Sequence, residues 1–239
     1  MEKDDQIKID DRFSNKVGVE YDLLPLALPF YDALQNEIAS VIQKKFTNDP
    51  IVLVELGCGT GLTTIKLVDA LPRARVTAVD VEAIMLEQAK KNKKLESVAF
   101  VLSDLLAYLK KLPDASVDAI ASGYCIHNMP PEYRRAAFLE MGRVLKPGGV
   151  ISNGDKIVPD DILKYWELFR DELSGLRAFR NTKHPELEGE WIEHYFIDDR
   201  LRFTELEQKD LMAVAGCGNV NFSNRWMTTT VCSGIKKSV

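Results

Sequence analysis

An acidic residue followed by three alternating glycines, Glu55-Leu56-Gly57-Cys58-Gly59-Thr60-Gly61, is the part of this 239-residue chain best suited to hold a ligand. Glycine tolerates positive φ in a tight turn and lacks the Cβ that would keep a ligand off the backbone. The spacing is not that of a pyrophosphate loop. The third position of the dinucleotide pattern falls on Leu62, and the Gly-Lys-Ser/Thr ending of a P-loop is missing. Neither Lys nor Arg occurs from Glu55 to Ile65, so the loop suits a positive amino-acid group better than phosphates. Asp80 falls about 20 residues beyond the loop, where α/β nucleotide folds set a carboxylate against ribose hydroxyls; alone, it also reads as a surface turn residue. His127 could titrate near neutrality and is a candidate general base, with loop packing as the alternative.

The hydrophobic pattern supplies elements that would bring these residues to one edge. A continuous apolar run from Ile51 to Leu56 predicts a buried strand, and Ile65, Val68 and Leu71 give the next segment helical spacing. Strands are predicted at Arg75 to Val79, ending in Asp80, and at Val98 to Leu102, Val117 to Ala121 and Val150 to Ser152. Helices are predicted from Pro29, over Ala83 to Asn92, over Leu105 to Leu109 and from Pro131, where proline suits the first turn. Asp104 is placed to cap the Leu105 helix. Lys146-Pro-Gly-Gly149 predicts a turn, Asp160 to Phe179 a helix, and Thr204-x-x-Glu207 a capping box opening a helix to Ala215. Asn219 to Phe222 and Met227 to Ile235 alternate as a closing hairpin.

The motif Glu55-x-Gly57-x-Gly59-x-Gly61, the acids that close the next two strands, and Leu145-Lys-Pro-Gly-Gly149 before a strand resemble the class I S-adenosylmethionine (SAM) methyltransferases. The resemblance covers most of the chain in pattern, while its specific residues lie between Glu55 and Gly149. It implies an α/β, doubly wound, mostly parallel seven-stranded sheet with helices on both faces and a C-terminal antiparallel hairpin. It implies SAM as cofactor, held by Tyr21, Glu55, Gly57, Gly59, Gly61, Asp80, Val81, Met85, Ser103, Asp104, Leu105 and Ser122. Tyr21 would lie over the cofactor in an N-terminal lid, or else simply pack. An acceptor pocket would draw on Tyr124, His127, Trp191, His194, Tyr195 and Arg225; aromatic residues at helical spacing are more often core, and a hairpin role for Arg225 is simpler. The implied division is a lid segment and helix over 1–48, a SAM-binding core over 49–158, a helical and aromatic cap over 159–203, and a closing helix and hairpin over 204–239.

Methyl transfer from an activated sulfonium is an in-line displacement governed by alignment, so it demands neither metal nor nucleophilic triad. The four cysteines form no C-x-x-C pair, and no metal site is expected. Scattered thiols, a polar N-terminal start and the lack of a membrane-spanning apolar run point to a cytoplasmic protein. A net charge of −5 disfavours a broad nucleic-acid footprint, leaving a small-molecule acceptor as the expected partner, with RNA or protein acceptors and a homodimer left open. Lys90-Lys91-Asn92-Lys93-Lys94 reads as a solvated helix end. Two other readings compete. An enzyme of the carboxy-SAM synthase type, or a non-catalytic SAM-binding module, fits the Leu-Pro-Phe-Tyr-Asp stretch; however, that family's loop has Ser at position 59, and its carboxylate-binding arginine finds no counterpart between Glu186 and Asp198. An NAD-dependent oxidoreductase is opposed by the glycine spacing and the absent Tyr-x-x-x-Lys pair.

Overall fold

The structure, a computed structural model, describes residues 23–47 and 49–238. Its strands are β1 (Val52–Leu56), β2 (Arg75–Asp80), β3 (Ala99–Leu102), β4 (Val117–Gly123), β5 (Leu145–Asp155), β6 (Cys217–Trp226) and β7 (Thr229–Lys236). They form one sheet in the order β3-β2-β1-β4-β5-β7-β6, with β7 antiparallel to both neighbours and the other pairs parallel. The chain therefore winds outward from β1 in one direction and from β4 in the other. The crevice between the carboxyl ends of those two strands is the switch point where such sheets bind ligands.

Alternation along the strands divides the core between the two faces. Leu53, Val76, Ala78, Ala119 and Ala121 pack with Leu34, Ile38 and Ile42 of α2 (Tyr31–Lys45) and Leu67 of α3 (Leu62–Ala70). A four-residue α1 (Leu24–Ala27) precedes α2. Val54, Leu56, Val79 and Ile120 meet the opposite layer: Leu105 and Leu109 of α5 (Leu105–Leu109), Phe138 and Met141 of α6 (Pro131–Val144), and Leu211 and Met212 of α9 (Glu205–Val214). Each such side chain contributes roughly 1.5–3 kcal/mol by burial. The helix α4 (Ala83–Ala89) is three residues shorter than its apolar spacing suggested, because a separate 3-10 turn over Lys93–Leu95 follows it.

Three differences from the sequence reading have local causes. Strand β5 begins at Leu145, not Val150: Leu145 pairs with Val117 and Val150 with Ala119, so the Pro-Gly-Gly segment is a bulge within the strand. Gly148 supplies its positive φ of 76°. The expected helix over Asp160 to Phe179 divides into α7 (Ile162–Gly175) and a 3-10 helix (Leu176–Asn181), because Gly175 presses on the backbone of Ala27, where a Cβ would lie 2.6 Å from the Ala27 carbonyl. The block holding Trp191, His194 and Tyr195 is a full helix, α8 (Leu187–Arg200). No helix among the described residues is long and apolar enough to cross a membrane.

Candidate functional site

The glycine loop turns out of β1 with Gly57, Gly59 and Gly61 at φ of 71°, 52° and 87°. Gly57 and Cys58 both donate to the Val79 carbonyl, which locks the loop to β2. A Cβ on Gly57 would lie 2.2 Å from Cys125 Sγ, so only glycine fits there. Asp80 closes the loop from the other side: its Oδ2 accepts from Gly59 N at 2.7 Å and its Oδ1 from Glu82 N at 2.9 Å. A carboxylate has about four lone-pair sites, so this one keeps acceptor capacity for a ligand. Burial pushes the Asp80 carboxyl up, and the N–H groups of Glu82, Gly59 and Val81 oppose that rise.

Above the loop lies a cavity of about 530 Å3, within the range that takes a cofactor. Of the residues the sequence singled out, Gly57, Gly59, Asp80, Val81, Met85, Ser103, Asp104, Leu105 and Tyr124 line it. Asp104 Oδ1 accepts from Ala107 N at 2.8 Å, the expected cap of α5, while its Oδ2 accepts from the Tyr133 hydroxyl. Burial and the Asp104 charge together raise the Tyr133 phenol. Tyr124 follows β4 in the left-handed region, at φ of 52°, and stacks on Tyr31 with ring centroids 5.1 Å apart. A bulky residue held there marks a strained site. Tyr31, Gln35, Cys125 and Asn128 complete this end of the wall; in the sequence Tyr31 stands at the start of a helix, within the Leu-Pro-Phe-Tyr-Asp stretch.

Other expected site residues lie elsewhere. Glu55 is wholly buried beneath the loop and does not reach the cavity wall. Burial lifts its carboxyl to about 8, with Thr64 opposing and the Asp80 charge reinforcing the rise. Gly61 caps α3, packed against Leu95 and Ala89. Ser122 is spent on the Leu56 carbonyl. Arg225 binds the Ile157 carbonyl and Glu205, fixing the hairpin. Trp191 and His194 are buried in α8 away from the large cavity. Tyr21 lies outside the described residues.

His127 also stands apart from that cavity. It lies on a 3-10 turn (Ile126–Asn128), buried, with Nδ1 2.5 Å from Asp155 Oδ1 at the end of β5. Its Nε2 faces Asp198 Oδ2 of α8 at 3.4 Å, and the same oxygen takes Lys156 Nζ at 2.8 Å. Burial works against charging the imidazole, but the Asp155 and Asp198 carboxylates outweigh it and raise the His127 pKa. Burial likewise disfavours the Asp198 charge, yet Lys156, His194 and His127 hold that carboxyl well below its usual range. A second, smaller cavity of about 30 Å3 borders this group, lined in part by Tyr195. Asp155, Lys156 and Asp198 were not anticipated; the only sequence sign was the four-residue step from His194 to Asp198 on one helix face.

Comparison with known proteins agrees with this architecture. Residues 53–149, from β1 to the β5 bulge, match the methyltransferase domain family. Carboxy-S-adenosyl-L-methionine synthase of Desulfotalea psychrophila is 25% identical over 93% of this chain and 90% of its own length. Trans-aconitate 2-methyltransferase of Azoarcus sp. is 34% identical over 52% of this chain, and the chain spans only 47% of that relative. Among solved structures, a SAM-dependent methyltransferase of Thermotoga maritima superposes with a TM-score of 0.61 at 18% identity, covering 96% of this chain and all of the other, a likeness of fold. The segment from β1 to the β5 bulge thus matches a methyltransferase domain, on a sheet whose order and C-terminal antiparallel pair match the class I, Rossmann-like methyltransferase fold.

Proposed function

We propose that this chain transfers a methyl group from SAM to a small, partly apolar acceptor. The observation that carries the reading is the switch-point cavity, walled by the bare Gly57–Gly59 backbone and the Asp80 carboxylate. The fit to the cofactor rests on that wall. A Cβ on Gly59 would sit 3.5 Å from Met85 Sδ on the cavity wall, and Asp80 keeps acceptor capacity for a ribose hydroxyl. Val81, Met85 and Leu105 offer apolar surface for a purine, with Ser103 and Asp104 beside it. When bound, SAM supplies a methyl group already activated on a sulfonium. The remaining work of the chain is to align and to exclude water. Tyr31 and Tyr124, stacked at the β4 end, form an aromatic wall, and Gln35 and Asn128 add amide groups that can orient a polar acceptor.

His127 is not assigned the base. Its imidazole is committed to Asp155 and turned toward Asp198, while its neighbours Tyr124 and Asn128 face the cavity. This supports an acceptor that needs no imidazole to take its proton. The helices α7 and α8 are proposed as a fixed cap beside the cavity.

A second reading, synthesis of carboxy-SAM, is favoured by one observation: the relative with that activity aligns over 93% of this chain. Mass spectrometry of the ligand that copurifies separates the two. SAM or S-adenosylhomocysteine supports methyl transfer, and carboxy-SAM supports the second reading. A screen for SAM consumption over small metabolites then identifies the acceptor; SAM binding without turnover on any of them would leave a binding module.

A further inference from the structure

Beyond the end of β4 lies a cluster that the cofactor cavity does not use. His127, His194 and Asp198 are all buried, and one ligand atom from each lies within 4.8 Å of the others. Nε2 of each histidine is 3.4 Å from Asp198 Oδ2. A good N–H···O bond spans about 2.7–3.2 Å, so these contacts are long for hydrogen bonds. They match instead the edge of a tetrahedron whose corners lie about 2.0–2.1 Å from its centre, an edge of about 3.3–3.4 Å. His127 Nε2 is buried and makes no hydrogen bond of ordinary geometry. Its other nitrogen is bound by Asp155, whose second oxygen also accepts from the His127 backbone N–H at 3.1 Å. A carboxylate on the far nitrogen is the arrangement that fixes a metal-ligating histidine with its lone pair forward.

We propose that His127 Nε2, His194 Nε2 and Asp198 bind one divalent transition-metal ion, Zn2+ foremost, with Asp155 orienting His127. Two imidazoles and a carboxylate with one position left open are a common zinc set. His127 and Asp198 also line the cavity of about 30 Å3 bounded by Tyr165, Tyr195 and Thr228, which has room for a water to complete the set. Lys156 Nζ, 2.8 Å from the same Asp198 oxygen and 3.4 Å from the Tyr195 ring centroid, competes with the ion for that carboxylate. The ion joins the turn after β4 to α8, and so fastens the cap to the carboxyl edge of the sheet.

The test uses the full, tag-free chain, stripped with a chelator and freed from it. Co2+ and Zn2+ are titrated separately, bound metal is counted by elemental mass spectrometry, and Co2+ coordination is followed by its visible absorption. The expected result is one equivalent per chain, with a Co2+ spectrum that Zn2+ abolishes. His194→Gln and Asp198→Asn should each weaken binding at least tenfold, and Asp155→Asn by about 10–100-fold, as removal of an orienting carboxylate does. Lys156→Met should tighten it several-fold, which a purely structural role for the lysine would not produce. Circular dichroism establishes that each variant is folded; where one is not, the wild-type titration and Lys156→Met decide. Absence of stoichiometric binding by the wild-type protein overturns the proposal, as does affinity undiminished in His194→Gln and Asp198→Asn. The readouts are independent of methyl transfer, so loss of that activity assignment would leave them intact.

Discussion

Asp80 and Glu55 show how depth separates two carboxyls on adjacent strands. Asp80 lies at the cavity wall, tied to two backbone N–H groups, and can still accept. Asp80→Asn places an amide where those donors already point and removes the charge. A hydrogen bond to a charged group is worth about 1.5–3 kcal/mol, so SAM should bind roughly 10–100-fold more weakly, measured by calorimetry. Gly57→Ala should abolish binding in the same assay, since the new Cβ meets Cys125 Sγ at 2.2 Å and φ is positive. Glu55 behaves differently because it is wholly buried. Burial keeps its carboxyl neutral in the folded protein up to about pH 8, against an ordinary value of 4.5 when unfolded. A group with a raised folded pKa stabilises fully below about 4.5, and that contribution is lost as pH climbs through about 8. Thermal unfolding of the ligand-free protein should therefore show Glu55→Gln gaining on the wild type from pH 5 to 8.5. At about 1.4 kcal/mol per unit the gain is a few kcal/mol. Parallel curves for the two proteins across that range would rule out the neutral carboxyl.

The cap is held to the sheet by buried acceptors. Glu172 of α7 accepts from the Tyr195 hydroxyl of α8 at 2.7 Å and from Thr228 N at 3.1 Å, as well as from the Thr228 hydroxyl. Thr228 belongs to the two-residue turn between β6 and β7, where Met227 sits at φ of 51° without glycine. Hairpin turns of this kind favour Asn or Gly, and Glu172 is the outside support that lets Met stand there. Glu172→Ala leaves donors unpaired at about 1–3 kcal/mol each, so a loss of about 2–5 kcal/mol is expected in denaturant unfolding. Hydrogen exchange should quicken first at residues 226–231. Local chemistry of this kind separates what could be read from the chain and what could not. The glycine loop, Asp80 at the end of β2 and the Asp104 cap are each written in a few consecutive residues. Glu172, Asp155 and Lys156 carry no such sign, because sheet order and helix packing bring their partners from distant segments. Pro147-Gly148-Gly149 was read as a turn because those residues favour one; the pairing of β5 with β4 on both sides turned it into a bulge. The burial of Glu55 carries no sign in the sequence, because a motif gives spacing along the chain but not depth beneath the surface.

Both helical layers pack on the one sheet, so a ligand at the switch point is linked to the stability of the folded chain as a unit. The cavity borders the loop after β1, the ends of β2 and β4 and the helices α2 to α6, and every one of those contacts is lost on unfolding. A ligand that binds only the folded state stabilises it by about 2.7 kcal/mol when supplied at about 100 times its dissociation constant. For a chain of this length each kcal/mol raises the melting temperature by about 2–4 °C. SAM or S-adenosylhomocysteine should therefore raise it by about 5–10 °C in a scan of the purified protein. NADH at the same concentration should leave it unmoved, because Leu62 stands where a dinucleotide loop needs a third small residue and no Lys or Arg from Glu55 to Ile65 meets a pyrophosphate. Asp80→Asn should lose most of the SAM-induced shift measured against its own unliganded melting temperature. A shift produced by NADH and not by SAM would transfer the cavity to a different cofactor and remove the methyl-transfer reading with it.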